Sequence, residues 1–143
     1  MKQIRFLQWI GLMILLVTAV ACGGKKTDSQ SATSLLTEEQ AAEMAENALQ
    51  AFNDGNYAGW SRDWSDTMKG AIKEADFLAY RQQVKAALGE YQSIESITLT
   101  PGNNKGYVRW VVVTQFENGR MQFSFGFAED GRLIEGVFPE LLS

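Results

Sequence analysis

The chain predicts an α+β domain over residues 37–141, with about three N-terminal helices packed on a four-stranded antiparallel sheet. Three observations carry that reading. Apolar residues recur at helical spacing between Ala41 and Leu88, and the pattern changes to runs rich in Val and aromatics after Gly89. Two turn dipeptides, Asn118-Gly119 and Asp130-Gly131, then divide those runs into strands.

The first helix opens at Thr37-Glu38-Glu39-Gln40, a capping box with a hydroxyl at the N-cap and Gln three residues on. Ala41, Met44, Ala45, Ala48, Leu49 and Phe52 form its inward stripe, and Glu43, Glu46, Asn47 and Gln50 face water. Asn53-Asp54-Gly55-Asn56 ends it. Tyr57, Trp60 and Trp64 then fall three and four apart, as on one face of a short second helix. A third helix runs from Glu74 to Leu88 with Phe77, Leu78, Val84 and Leu88 inward and Gly89 as its C-terminal cap.

Ser93 to Thr100 alternates imperfectly around Ile94, Ile97 and Leu99, and Pro101 to Gly106 is a loop. Tyr107 to Glu117, Arg120 to Glu129 and Arg132 to Phe138 complete the sheet. With Asn118-Gly119 as a two-residue loop, Glu117 faces Arg120 and the period of two fixes the faces. One face collects Val108, Trp110, Val112, Thr114 and Phe116 with Met121, Phe123, Phe125 and Phe127, then Ile134 and Phe138; it is fit to receive the helices. The other carries Arg109, Val111, Val113, Leu133 and Val137 among small and polar residues, too much apolar surface to leave in water without a role.

Ahead of the domain, Lys2 and Arg5 precede an uncharged run, and Ala19-Val20-Ala21 leads into Cys22, the one cysteine of the chain. That order is the form of a secretory signal over residues 1–21. A cysteine directly after the cleavage site resembles the lipobox of bacterial lipoproteins, with Ala19 where that family prefers Leu. The resemblance implies an acylated Cys22 anchored in the lipid bilayer and an extracytoplasmic location in the cell envelope. The alternative is a retained span, since Phe6 to Gly24 holds 19 uncharged residues. Residues 22–36 otherwise read as a flexible Gly/Ser/Thr/Lys tether.

Composition excludes several kinds of chemistry. Thirteen basic against 17 acidic residues give a net charge of −4, and loss of residues 1–21 removes two of the basic ones and none of the acidic. No nucleic-acid partner is expected of such a chain. Without histidine there is no Ser-His-Asp or Cys-His catalysis and no His-based zinc site, and the one cysteine is assigned to lipid. No metal, cofactor or catalytic residue is therefore expected. Carboxylates are what remains for acid–base work: Asp63 and Asp66 flank Trp64, an aromatic wall that could raise a carboxyl pKa, although solvent-facing turn residues beside Arg62 and Lys69 are the plainer reading.

Ala51-Phe52-Asn53-Asp54-Gly55-Asn56-Tyr57 with Trp60, Trp64 and Met68, followed by Gly89, Ser93-Ile94, Phe116-Glu117-Asn118-Gly119 and Asp130 to Gly136, resembles a small bacterial family. That family is domain of unknown function 3887, of the nuclear-transport-factor-2-like (SnoaL-like) class, and the similarity covers about residues 40 to 138. The resemblance implies helices on the concave side of a curved sheet, a cone that can hold a pocket, and it supplies no catalytic residues. No hydrolase domain, which follows some members, is expected after Phe138.

Three functions follow, in order of preference. The first is a membrane-tethered, non-enzymatic interaction module whose flat face (Val111, Val113, Leu133, Val137, with Arg109) meets a second copy or another envelope protein. The second is a pocket for a small apolar ligand among Tyr57, Trp60, Trp64, Trp110, Phe123, Phe125 and Phe127, residues whose simplest role is core. The third is an isomerase- or hydrolase-type enzyme using Asp63 or Asp66.

Overall fold

The computed structural model describes residues 32–143. The signal at 1–21, Cys22 and most of the tether lie outside the described residues. Four helices, α1 (Glu38–Asp54), α2 (Tyr57–Trp60), α3 (Asp66–Ala71) and α4 (Glu74–Leu88), precede four strands, β1 (Tyr91–Pro101), β2 (Tyr107–Phe116), β3 (Gly119–Ala128) and β4 (Ile134–Leu142). The strands form one antiparallel sheet in sequence order, β1-β2-β3-β4, so β1 and β4 are its edges. The α+β architecture with helices before an antiparallel sheet is thus as expected, with one helix more.

The capping box of α1 is formed. Thr37 Oγ1 accepts from the Gln40 N–H (3.2 Å) and Gln40 Oε1 accepts from the Thr37 N–H (3.1 Å). Gly55, at φ 71°, closes the helix in the left-handed conformation. Arg81 of α4 donates through Nε to the Phe52 carbonyl (2.7 Å) and also bonds the Asn53 carbonyl, satisfying acceptors that a helix end leaves open.

The second predicted helix is shorter than its spacing suggested. It ends at Trp60, and the chain then runs beside the start of β4: Ser65 N–H donates to Ile134 C=O (3.0 Å) and Ile134 N–H to Asp63 C=O (2.8 Å). This bridge places Trp64. The unpredicted α3 starts at Ser65, whose hydroxyl accepts from the Met68 N–H (3.3 Å). It buries one side chain, Met68, and so has no apolar period to read. Along α4, Phe77, Val84 and Leu88 form the buried stripe, and Leu78, expected inward, is exposed because it lies one residue, about 100°, off that stripe.

The sheet differs from its predicted register at two places. The β2–β3 loop is Glu117-Asn118, with Phe116 opposite Gly119 and Gln115 opposite Arg120. The end of α4 sets that turn: Asn118 N–H bonds the Leu88 carbonyl (2.9 Å), Glu117 N–H bonds the Glu90 carbonyl (3.0 Å), and a Cβ on Gly119 would meet Leu88 at 2.8 Å. The shift is two residues, an even number, so every face assignment in β2 and β3 survives it. In β4 the faces do change. Phe127 pairs with Ile134 but Gly126 pairs with Gly136, leaving Glu135 as a bulge that inverts the alternation. Val137 consequently joins Phe125 on the helix side, and Phe138 turns to the outer face, 57% exposed. Two further bulges in β1, at Gln92 and Glu95, account for its imperfect alternation and keep Tyr91, Ile94, Ile97 and Leu99 together facing the helices.

The core lies between α1, α2, α4 and that sheet face. Phe123 is fully buried, and its ring centroid is 6.1 Å from those of both Phe52 and Trp60. Trp60 continues the cluster to Phe52 (5.3 Å), Trp64 (6.0 Å) and Phe125 (6.3 Å), mostly at tilted or edge-on angles that aromatic quadrupoles favour. Among the described residues, no helix is long and apolar enough to cross a membrane.

Candidate functional site

The aromatic cluster is closed except along the β4 edge of the sheet. There a groove of about 270 Å³ runs between β4 and α4, with apolar atoms making nearly all of its lining. Its floor is Trp60, Trp64 and Phe123; Ile72, Phe77 and Tyr80 form the helix-side wall, and Val137 and Pro139 form the strand-side wall. Each wall has a local cause. Phe77 and Tyr80 are three apart on α4 and share a face. The Glu135 bulge turns Val137 inward, and Pro139 is tolerated because β4 is an edge strand. Ile72 is held where α3 ends by its own carbonyl, which accepts from the Tyr57 hydroxyl (2.5 Å).

Two polar groups give the groove direction. The Trp64 indole N–H is buried without a hydrogen-bond partner among the described residues, a state that costs about 1–3 kcal/mol for an unsatisfied donor. Asp76 stands at the groove, its carboxylate fixed by the Lys73 N–H (3.2 Å) in the first turn of α4. Tyr80 carries a phenol whose pKa is raised by burial, so it stays neutral. The site is apolar, with the Trp64 N–H buried in its floor, the Tyr80 phenol in its helix-side wall and the Asp76 carboxylate beside it.

The predicted pocket residues separate into three groups. Trp60, Trp64 and Phe123 line this groove. Tyr57 and Phe125 pack behind it, with Tyr57 edge-on to Trp64 at 6.2 Å. Trp110 and Phe127 are core elsewhere on the sheet, and the Trp110 indole N–H reaches Ser34 Oγ at 3.4 Å. Sequence reasoning missed Ile72, Asp76, Phe77, Tyr80, Val137 and Pro139 as lining. The Phe77–Tyr80 spacing was a readable signal; the bulge that recruits Val137 was not.

The predicted flat-face set also divides. Val111 and Val113 are half-buried on the outer face, as expected. Leu133 precedes β4 in a loop and is 51% exposed, and Val137 is on the opposite face for the reason given above. Phe138 takes its place outside. Arg109 lies on the outer face opposite Gly126 and forms no ion pair with Glu135, whose carboxylate instead accepts from the Ser65 hydroxyl (3.0 Å).

The two candidate catalytic carboxylates are not brought to the groove. Asp63 is paired with Arg62 (2.7 Å) and Asp66 is exposed in the first turn of α3. Among the described residues no group of three or more His, Cys, Asp or Glu side chains could hold a metal ion.

No curated protein matches the chain. Among solved structures it is similar to the NMR structure of a protein from Ruminococcus gnavus ATCC 29149, with 17% sequence identity and a TM-score of 0.56. That similarity covers 72% of this chain and 90% of that one, and it supports the fold alone. The family described as Protein of unknown function (DUF3887) matches residues 45–135, from the middle of α1 to the bulge of β4, and the chain belongs to that family.

Proposed function

We propose that this protein is a non-enzymatic, membrane-tethered binding module of the cell envelope, and that its ligand is a small, neutral, apolar molecule carrying a hydrogen-bond acceptor. The groove beside β4 carries the reading. It is near the lower end of ligand-pocket sizes, about 300–1,000 Å³, and combines an apolar lining with few polar groups. A ligand acceptor that displaces the cover of the buried Trp64 N–H would supply the bond it lacks, and Asp76 disfavours an anion. Attachment through an acylated Cys22 rests on the signal-like order of residues 1–22, and the tether would hold the domain off the bilayer. The cone of nuclear-transport-factor-2-like proteins is the finer fold assignment we favour. Bulges occur in both edge strands, and a bulge bends its strand and raises the local twist, as a curved, cone-forming sheet would need.

Calorimetric titration of the full chain tests the groove, with acetophenone as a neutral ring ketone and benzoate as its anionic counterpart. The expected result is saturable binding of acetophenone, at least tenfold weaker binding of benzoate, and loss of acetophenone binding in Ile72→Asp. No saturable binding of either probe would refute the reading. For the anchor, mass spectrometry of membrane-extracted protein should find an N-terminus at acylated Cys22; a chain retaining Met1–Ala21 would contradict it.

A second reading is self-association through the outer sheet face, favoured by Phe138 standing exposed on the face that also carries Val111 and Val113. Light scattering on the eluting full chain should then show concentration-dependent association that Val113→Lys abolishes. A monomer at all concentrations removes this reading and leaves the groove untouched.

A further inference from the structure

A second cavity, of about 290 Å³, lies on the outer face of the sheet, across from the groove. Its base is the backbone of Gly126 of β3, which pairs directly with Gly136 of β4, and the Phe138 ring lies over Gly136. Arg109 is beside them, opposite Gly126 on β2, and Tyr107 and Phe138 supply aromatic edges. Glu135 also lines the cavity, at the bulge. Arg109 and Glu135 are opposite charges in one small space, yet no ion pair joins them. Glu135 Oε2 is held by the Ser65 hydroxyl at 3.0 Å, and the buried Arg109 Nε has no hydrogen-bond partner among the described residues.

We infer that this cavity is a binding site for a small zwitterion of the α-amino-acid class, with the ligand carboxylate on Arg109 and its ammonium on Glu135. A guanidinium presents parallel N–H donors that match a carboxylate, and the two Nη groups of Arg109, which make no hydrogen bond or ion pair among the described residues, form such a fork beyond the buried Nε. Glu135 is fixed by Ser65 and offers its other oxygen to a cation. A ligand with one charge alone would meet one of these residues with repulsion, and an anion would also face the chain's net charge of −4. Gly126 leaves room for the backbone of the ligand, and Phe138 or Tyr107 can cover its side chain. A Cβ on Gly136 would strike the Phe138 ring at 2.9 Å, so Gly136 is needed for that ring to lie where it does. Gly126 is under no such demand: a Cβ there meets only the backbone of Gly136, at 3.7 Å, so the methyl of alanine fits the fold and occupies cavity space instead.

Calorimetric titration of the full chain with L-phenylalanine, N-acetyl-L-phenylalanine and L-phenylalanine amide tests the assignment. Saturable binding of L-phenylalanine is expected, at least tenfold tighter than that of either blocked form. Arg109→Gln and Gly126→Ala should each weaken it at least tenfold, with circular dichroism and unfolding midpoint near those of the parent for Gly126→Ala. Failure of L-phenylalanine to bind overturns the proposal, as does equal binding of the acetylated form or unchanged affinity in Gly126→Ala.

Discussion

Tyr91 is the residue whose environment most directly couples the helices to the sheet. Its hydroxyl donates to Glu46 Oε2 of α1 (2.6 Å) and its backbone N–H donates to Asn53 Oδ1 at the end of the same helix (2.9 Å). Burial first, and then the Glu46 carboxylate, raise the Tyr91 pKa far above the ordinary tyrosine value. The neutral phenol is therefore favoured by folding. Its contribution to stability is complete below the unfolded pKa of about 10 and is lost progressively as pH rises above it. Tyr91→Phe should cost about 1.5 kcal/mol at neutral pH, the loss of a hydrogen bond to a charged group, and should reduce the alkaline decline in stability. Urea unfolding of both forms at pH 8 and pH 10.5 measures the two effects; an unchanged alkaline decline would contradict the assignment. The Trp64 N–H is the opposite case, a buried donor without a partner among the described residues.

At the scale of elements, what was legible in the sequence is what local chemistry decides. The capping box at Thr37, the stop at Gly55 and the Ala-rich stripe of α1 all act within a few residues of chain, and Thr37→Ala should lower stability by about 1 kcal/mol in thermal or urea unfolding. The faces of β2 and β3 were readable because alternation is a property of the strand itself. The turn between them was not, since Leu88 and Glu90 bind Glu117 and Asn118 from another part of the chain. Nor was the bulge at Glu135, an irregularity that no apolar period records. That single residue moved Val137 into the groove and Phe138 out of the core, and it brought Glu135 into the same cavity as Arg109. Most of the candidate site's aromatic floor could be named in advance, and its strand-side wall could not.

For the whole molecule, the sheet separates two environments. Helices cover one face and leave an apolar groove open at the β4 edge; the other face carries a charged, glycine-floored cavity that no helix of the described residues lines. The aromatic cluster that supports the groove also holds the domain together. Phe123→Ala, at a fully buried position touching Phe52, Trp60 and Phe125, should cost about 3–5 kcal/mol, read from the urea midpoint at constant slope. A loss under 1 kcal/mol would mean that the cluster is not the centre of the fold. Binding of a neutral apolar ligand with an acceptor for Trp64 would be read at the ¹H–¹⁵N resonance of the Trp64 indole in the full chain, assigned with Trp64→Phe, during titration with acetophenone. A saturating downfield proton shift is expected as the unpartnered N–H gains its bond, larger than any change at the Trp110 indole. A Trp64 resonance that stays fixed while acetophenone reaches saturating binding elsewhere, or does not bind at all, would contradict it.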